Sequence, residues 1–215
     1  MKNSNASGSS GLLGSLRGIS RGSAFALLTG ILLGSVSAAA APASGPELQK
    51  WREVSRFNVK TPYSSIDAGA ARVNVNAPAD LVRSVVLDYK NYASFMSRFE
   101  KSQIVGRSGD KTDVYLQVPI LKGAAKVWAV VRFEPIKQVD GGEVLVGHMI
   151  KGNVKRLDAT WRLKKLDEST TQVALELLIV PDLPVPDSLV VPEVRFAAAK
   201  AVEGSRDEAE KRKSR

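Results

Sequence analysis

The sequence predicts an α+β fold: about seven antiparallel strands in one sheet, two short helices after the first strand, and a long helix ending the chain. Three observations carry this expectation. Apolar and polar residues alternate with period 2 in successive segments between Ala71 and Val180, the pattern of half-buried strands. The alternation is interrupted once, after the first strand, by two short apolar sets at helical spacing. Beyond Pro181, Pro184 and Pro186, helical spacing returns and continues to about Arg212.

The first strand covers Ala71 to Ala77, where Val73, Val75 and Ala77 alternate with Arg72, Asn74 and Asn76. Pro78 suits the first helical position, because the N–H it lacks would be unsatisfied there and its φ is already helical. Val82, Val85, Val86 and Tyr89 then make one apolar face, and Tyr92, Phe95 and Met96 repeat the i, i+3, i+4 spacing. Lys101 to Gly106 is a short strand ending at the turn Ser108-Gly109-Asp110. Asp113 to Ile120 places Val114, Leu116, Val118 and Ile120 on one face, with Pro119 marking an edge or a strand end. Lys126 to Glu134 has Val127, Ala129, Val131 and Phe133 in phase, and Asp140-Gly141-Gly142 reads as a hairpin turn. In Glu143 to Ile150 the apolar phase is Val144, Val146, His148 and Ile150. Arg156 to Lys165 presents Leu157, Ala159, Trp161 and Leu163; Thr171 to Val180 presents Val173, Leu175, Leu177 and Ile179. Asp187 or Ser188 can cap the long helix, and Pro192 either kinks it or opens its main segment. Its inward set is Val194, Ala197, Ala198, Ala201 and Val202, and the basic end Lys211 to Arg215 is expected to fray.

Residues 1–43 read as a secretory signal and its cleavage region. Lys2, Arg17 and Arg21 precede a 13-residue apolar run, Ala24 to Val36, followed by small residues at Ser37, Ala38, Ala39, Ala40, Ala41 and Ala43. The run is short for a membrane span, which needs about 20 apolar residues. Export to a periplasm or the exterior is therefore expected, with an uncleaved anchor as the alternative. Residues 44–69 form a linker and lead-in, with a short helix at Glu47 to Ser55 around Leu48 and Trp51 and a lead-in strand at Phe57 and Val59. The domain proper is 70–213.

The composition excludes several chemistries. The chain has no cysteine and one histidine, so disulfides, thiol catalysis, cysteine-held metals and a histidine cage are ruled out, and no cofactor is expected. The formal charge is +9; taking Lys2, Arg17 and Arg21 from the 31 basic residues leaves 28 against 22 acidic, a net +6. A charge of that size reads as a solvated basic surface, with the C-terminal tail able to touch an anionic membrane and no nucleic-acid partner expected.

Ala77-Pro78-Ala79-Asp80 with Val82 and Val85, then Leu87-Asp88-Tyr89, Tyr92 and Phe95-Met96, resembles the opening pattern of the START-like superfamily, which includes polyketide cyclases and coenzyme Q-binding proteins. Trp161-Arg162-Leu163, Thr170-Thr171-Gln172-Val173, and Pro186 with Leu189-Val190 resemble its closing pattern. The likeness spans about residues 70–212. It implies the helix-grip fold, a curved sheet wrapped on the long C-terminal helix with a tunnel between them, and a hydrophobic ligand in that tunnel such as a lipid, quinone or polyketide. Ala93 and Ser97 depart from the prolines many relatives carry there, which points to a longer second helix or a different entry into the sheet.

On these grounds the candidate ligand contacts are Tyr92, Phe95, Met96, Val114, Leu116, Val131, Phe133, Val146, His148, Trp161, Leu175, Val194 and Ala198. Plain core packing gives the same pattern without any cavity. No catalytic group stands out; His148 is the one candidate, as a polar anchor or as the proton shuttle of a cyclase. Glu134, Asp158 and Glu176 fall out of phase with the apolar faces and are expected in solvent. The sequence thus favours an exported carrier or sensor of a hydrophobic molecule. A cyclase or aromatase, or a module that docks on a membrane or partner through its basic surface, are the alternatives; oligomeric state is open.

Overall fold

A computed structural model describes residues 52–62, 64–120, 125–182 and 184–215. All lie within the unit Pro42–Arg215. The export segment and the expected helix from Glu47 lie outside the described residues, save that Arg52 to Val54 lead directly into a strand. Among the described residues nine strands make one antiparallel sheet: β1 (Ser55–Val59), β2 (Ala68–Val75), β3 (Lys101–Ser108), β4 (Lys111–Ile120), β5 (Ala125–Phe133), β6 (Lys137–Val139), β7 (Gly142–Gly152), β8 (Val154–Lys165) and β9 (Thr171–Pro181). Between β2 and β3 lie α1 (Ala79–Val86), a 3-10 turn (Tyr89–Asn91) and α2 (Tyr92–Phe95); α3 (Asp187–Lys213) ends the chain. The spatial order is β1-β2-β9-β8-β7-β5-β4-β3, with β6 paired to β7.

Beyond the seven strands of the domain proper lie β1, the lead-in strand expected at Phe57 and Val59, and β6, which the sequence pattern does not mark. β1 has four exposed residues of five and β6 is exposed throughout, so neither is half-buried. The turn from β6 to β7 is Asp140-Gly141, with Gly141 at φ 87° and Gly142 at φ 149°. Gly142 is required twice over: its φ is one that L-residues rarely adopt, and a Cβ there would fall on the Leu163 carbonyl oxygen.

The long helix packs on β2, β9 and β1 and on α1, so it covers one half of the sheet and leaves β3, β4, β5 and β7 beyond its flank. Two glycines seat it. A Cβ on Gly69 of β2 would overlap the α3 backbone at Val194 and Arg195; a Cβ on Gly204 of α3 would overlap the Phe95 carbonyl oxygen and sit 3.1 Å from Met96 Cα. Ala198, Ala199 and Ala201 continue this close approach, which larger side chains would prevent. Pro186 occupies the N-cap of α3 without a side-chain hydrogen bond, and Pro192 sits inside the helix, not at its start. At the C-terminus the helix runs to Lys213, Arg212 pairs with Asp88 at 2.6 Å and Glu208 at 2.9 Å, and Lys213 donates to Asn76 Oδ1 at 2.8 Å. α2 is a single turn, no longer than four residues, and Met96 already has extended backbone.

Candidate ligand-binding site

Residues directly opposite in an antiparallel register share a face of the sheet. The face turned to α3 can therefore be followed strand by strand. One row runs Ala71, Leu175, Trp161, Leu145; the next runs Val73, Val173, Leu163, Glu143. A third runs Gly69, Leu177, Ala159, Gly147, Phe133, Thr112, and beyond it lie Leu157 with Ile179 and Met149 with Val131 and Val114. This concave face is apolar over most of its area, and burying each large side chain on it contributes roughly 1.5–3 kcal/mol.

One end of the concave face is sealed. Tyr92 and Met96 are among the largest fully buried side chains, and the Tyr92 hydroxyl donates to the Val86 carbonyl. Tyr92 meets Phe95, Phe99 and Tyr89 with ring centroids 5.8 Å apart in each case. Glu143 faces inward and is buried, which is tolerable because Arg83 of α1 grips it with both guanidinium arms, Nε to Oε2 at 2.6 Å, and Gln138 donates at 2.6 Å. Those bonds from Arg83 hold the Glu143 carboxyl below its ordinary range despite burial. The Asp88 carboxyl is pushed up by burial, but hydrogen bonds from Arg212 and Asn91 outweigh this and hold it low. α1 is thereby tied to the sheet, and the start of the 3-10 turn to α3.

The other end is less covered. Val118, Val127, Met149, Leu177 and Ile179 all face inward yet remain partly exposed. They lie at the ends of β4, β7 and β9 and the start of β5, and Leu189 near the start of α3 is 63% exposed. A separate outer cleft of about 350 Å³ lies between β1 and the start of α3, lined mostly by polar groups such as Asn58, Lys60, Asp67 and Arg195. Its walls suit water and ions better than an apolar molecule.

Of the expected contact residues, Tyr92, Met96, Val114, Leu116, Val131, Phe133, Trp161, Leu175 and Ala198 share one buried cluster, with Phe95 packed against it. Val194 belongs to a second cluster with Ile66, Ala68, Leu178 and Val190. Tyr92, Phe95 and Met96 sit at the sealed end as packed core. Val146 and His148 require correction. The register pairs Val146 with Thr160 and His148 with Asp158 and Arg132, on the convex face, where Val146 is 39% exposed. His148 there neighbours the Arg132–Asp113 ion pair, whose two hydrogen bonds are both 2.7 Å.

β7 carries much of its apolar content on the face turned away from α3. Its inward positions hold Glu143 and Gly147 as well as Leu145 and Met149, whereas Val144, Val146 and Ile150 point outward. Gly147 is small because the Phe133 ring lies across it; a Cβ there would be 2.7 Å from the ring. Glu143, Leu145, Met149 and Tyr89 are accordingly site residues that alternation along the chain does not single out. Tyr89 stacks on Phe133 at 4.6 Å and 17°. The alternation Glu143, Leu145, Gly147, Met149 was visible, but only knowledge of Arg83 and Phe133 makes it the inner one. Among the described residues no cluster of His, Asp and Glu could hold a metal ion, and no helix is long and apolar enough to cross a membrane.

No curated protein matches the chain by sequence. Solved structures with the same fold include a STAR-related lipid transfer protein from Xanthomonas axonopodis, 16% identical, covering 73% of this chain and 93% of that one with a TM-score of 0.62. The Zhui aromatase/cyclase from a Streptomyces is 21% identical, covering 74% and 96%, with a TM-score of 0.53. Human STARD10 is 11% identical, covering 75% and 71%, with a TM-score of 0.62. The family profile "Polyketide cyclase / dehydrase and lipid transport" matches residues 75–203, from the end of β2 deep into α3. With the helix-grip architecture and that match across most of the domain, the chain belongs to the polyketide cyclase/dehydrase and lipid-transport family.

Proposed function

We propose that this protein is an exported, non-enzymatic binding protein, a carrier or sensor, for a hydrophobic small molecule held between the concave face of the sheet and α3. The observation that carries the reading is the asymmetry of that face: apolar throughout its middle, sealed by α1 and α2 at one end, and only partly covered around Val118, Val127, Met149, Leu177 and Ile179 at the other. Apolar walls with few polar groups are the usual lining of sites for such ligands. Membership of a family that joins cyclases and lipid transporters supports the ligand class. A cyclase reaction would have to proceed without His148, whose side chain lies on the convex face, and the inward carboxylate Glu143 is already spent on Arg83. Export rests on the sequence alone, through the basic residues and apolar run that precede the linker.

Native mass spectrometry of the purified protein tests the binding reading. A bound apolar molecule of defined mass, released by organic extraction, is expected. A protein that carries nothing and also takes up no fluorescent apolar probe would sink it. For export, N-terminal sequencing of protein from the periplasmic or culture fraction should find a start within residues 38–44; an intact N-terminus confined to the cytosol would refute it.

A further inference from the structure

Strict alternation along β3, starting from the inward Ser102 and Ile104, would bring Gly106 inward and send Arg107 out. The extra residue Val105 reverses this. The register skips from Ile104 opposite Val114 to Gly106 opposite Asp113, so β3 carries a bulge. Bulges re-aim side chains, and this one places Gly106 on the convex face and Arg107 opposite Thr112 on the concave face. Thr112 is in turn opposite Phe133, on which the Tyr89 ring is stacked. A guanidinium is thus brought to the rim of an otherwise apolar surface, in the row that leads through Thr112 and Phe133 to the Tyr89 ring.

These groups are unused. Among the described residues no carboxylate pairs with Arg107, although Lys111, Arg83, Arg132 and Arg212 each have one. Tyr92 donates its hydroxyl to a carbonyl, but among the described residues the hydroxyls of Tyr89 and Thr112 donate none. Burial raises the pKa of Tyr89, so it remains a hydrogen-bond donor across the physiological range. A forked cation beside two hydroxyls matches a carboxylate or phosphate, which accepts from both guanidinium arms.

We infer that Arg107, with the hydroxyls of Tyr89 and Thr112, anchors the acidic head group of the ligand, which is therefore an apolar molecule ending in a carboxylate or a phosphate. The inference rests on the concave face being the ligand site and adds the chemistry of the ligand's polar end. Ile104, inward and 38% exposed beside Arg107, keeps the rim open to solvent, so the head need not be fully dehydrated.

The test compares hexadecanoate, hexadecyl phosphate and hexadecanol on the full-length chain by displacement of a fluorescent alkyl probe. At least one acid should bind roughly tenfold or more tightly than the alcohol, the scale of a hydrogen bond to a charged group. Whichever acid wins identifies the head. Arg107→Gln should erase that preference and leave the alcohol unchanged; Arg107→Lys, which keeps a point charge, should retain part of it. Equal binding of all three, or an Arg107→Gln effect that weakens all three alike, would overturn the anchor and leave the apolar site standing. Binding of none would overturn both.

Discussion

The two ends of the concave face are built from different materials. The sealed end uses charge and backbone contact: Arg83 on Glu143, Arg212 on Asp88, the Tyr92 hydroxyl on Val86, and Gly204 against Phe95 and Met96. The uncovered end presents aliphatic side chains and methionine, among them Val118, Val127, Met149 and Ile179. Buried ions are costly unless held in good geometry, so they fix one arrangement of the elements that carry them. Aliphatic groups and methionine impose no such direction and adapt to a varied partner. The difference teaches where shape is fixed and where it is left for a ligand. The helical segment after β2 belongs to the fixed end.

Gly204 gives the sharpest way to break the sealed end. Gly204→Val puts two methyl groups and a Cβ where the Phe95 carbonyl oxygen and Met96 Cα now lie, and neither atom is the tip of a flexible side chain. A loss of about 3 kcal/mol or more in unfolding free energy is expected, at the upper range of overpacking. Urea denaturation measures it; a loss under about 0.5 kcal/mol would mean that α3 and α2 are not in tight contact.

Glu143→Gln is a smaller change at the same end. It keeps the volume and removes the charge that holds Arg83, which is 30% exposed and so partly rescued by water. A cost of about 1–3 kcal/mol is expected. The sign with pH follows from the direction of the shift. Glu143 is held below its unfolded value, so its contribution is complete above about pH 4.3 and is lost as pH falls through the lower folded value. Wild-type stability should therefore drop more steeply on acidification below that point than the stability of the variant. Parallel acid limbs would show that the pair contributes nothing.

The contrast also marks what a sequence can disclose. Strands such as β5, β8 and β9 were legible because Val127 to Phe133, Leu157 to Leu163 and Val173 to Ile179 alternate against a polar opposite face. The glycine turn at Gly141 and the segment Ala79 to Phe95 were legible through local rules. β7 was not, because which of its two faces points inward depends on Arg83 being present to pair Glu143 and on Phe133 needing space over Gly147, both remote in the chain. Arg107 was hidden for another reason. A bulge has no marker in sequence here, and Val105 looks like any strand residue until β4 is laid beside it.

The least disruptive pair of variants tests the uncovered end, and with it which face of β7 points inward. Met149 and His148 are neighbours in sequence on opposite faces. Met149→Lys sets an ammonium on the concave face with room to reach solvent past a partly exposed site, so stability should fall little. Uptake of a fluorescent apolar probe should still fall by roughly tenfold or more, because a charge must be dehydrated for the probe to enter. His148→Ala removes a ring from the convex face beside Arg132 and Asp158, and probe affinity should stay within about twofold, the range of surface substitutions of about 0.5 kcal/mol. The comparison is direct because both variants change β7 within one residue of each other. If His148→Ala weakens binding as much as Met149→Lys, the ligand does not lie on the concave face, and the division of this molecule into a fixed end and a receptive end loses its function.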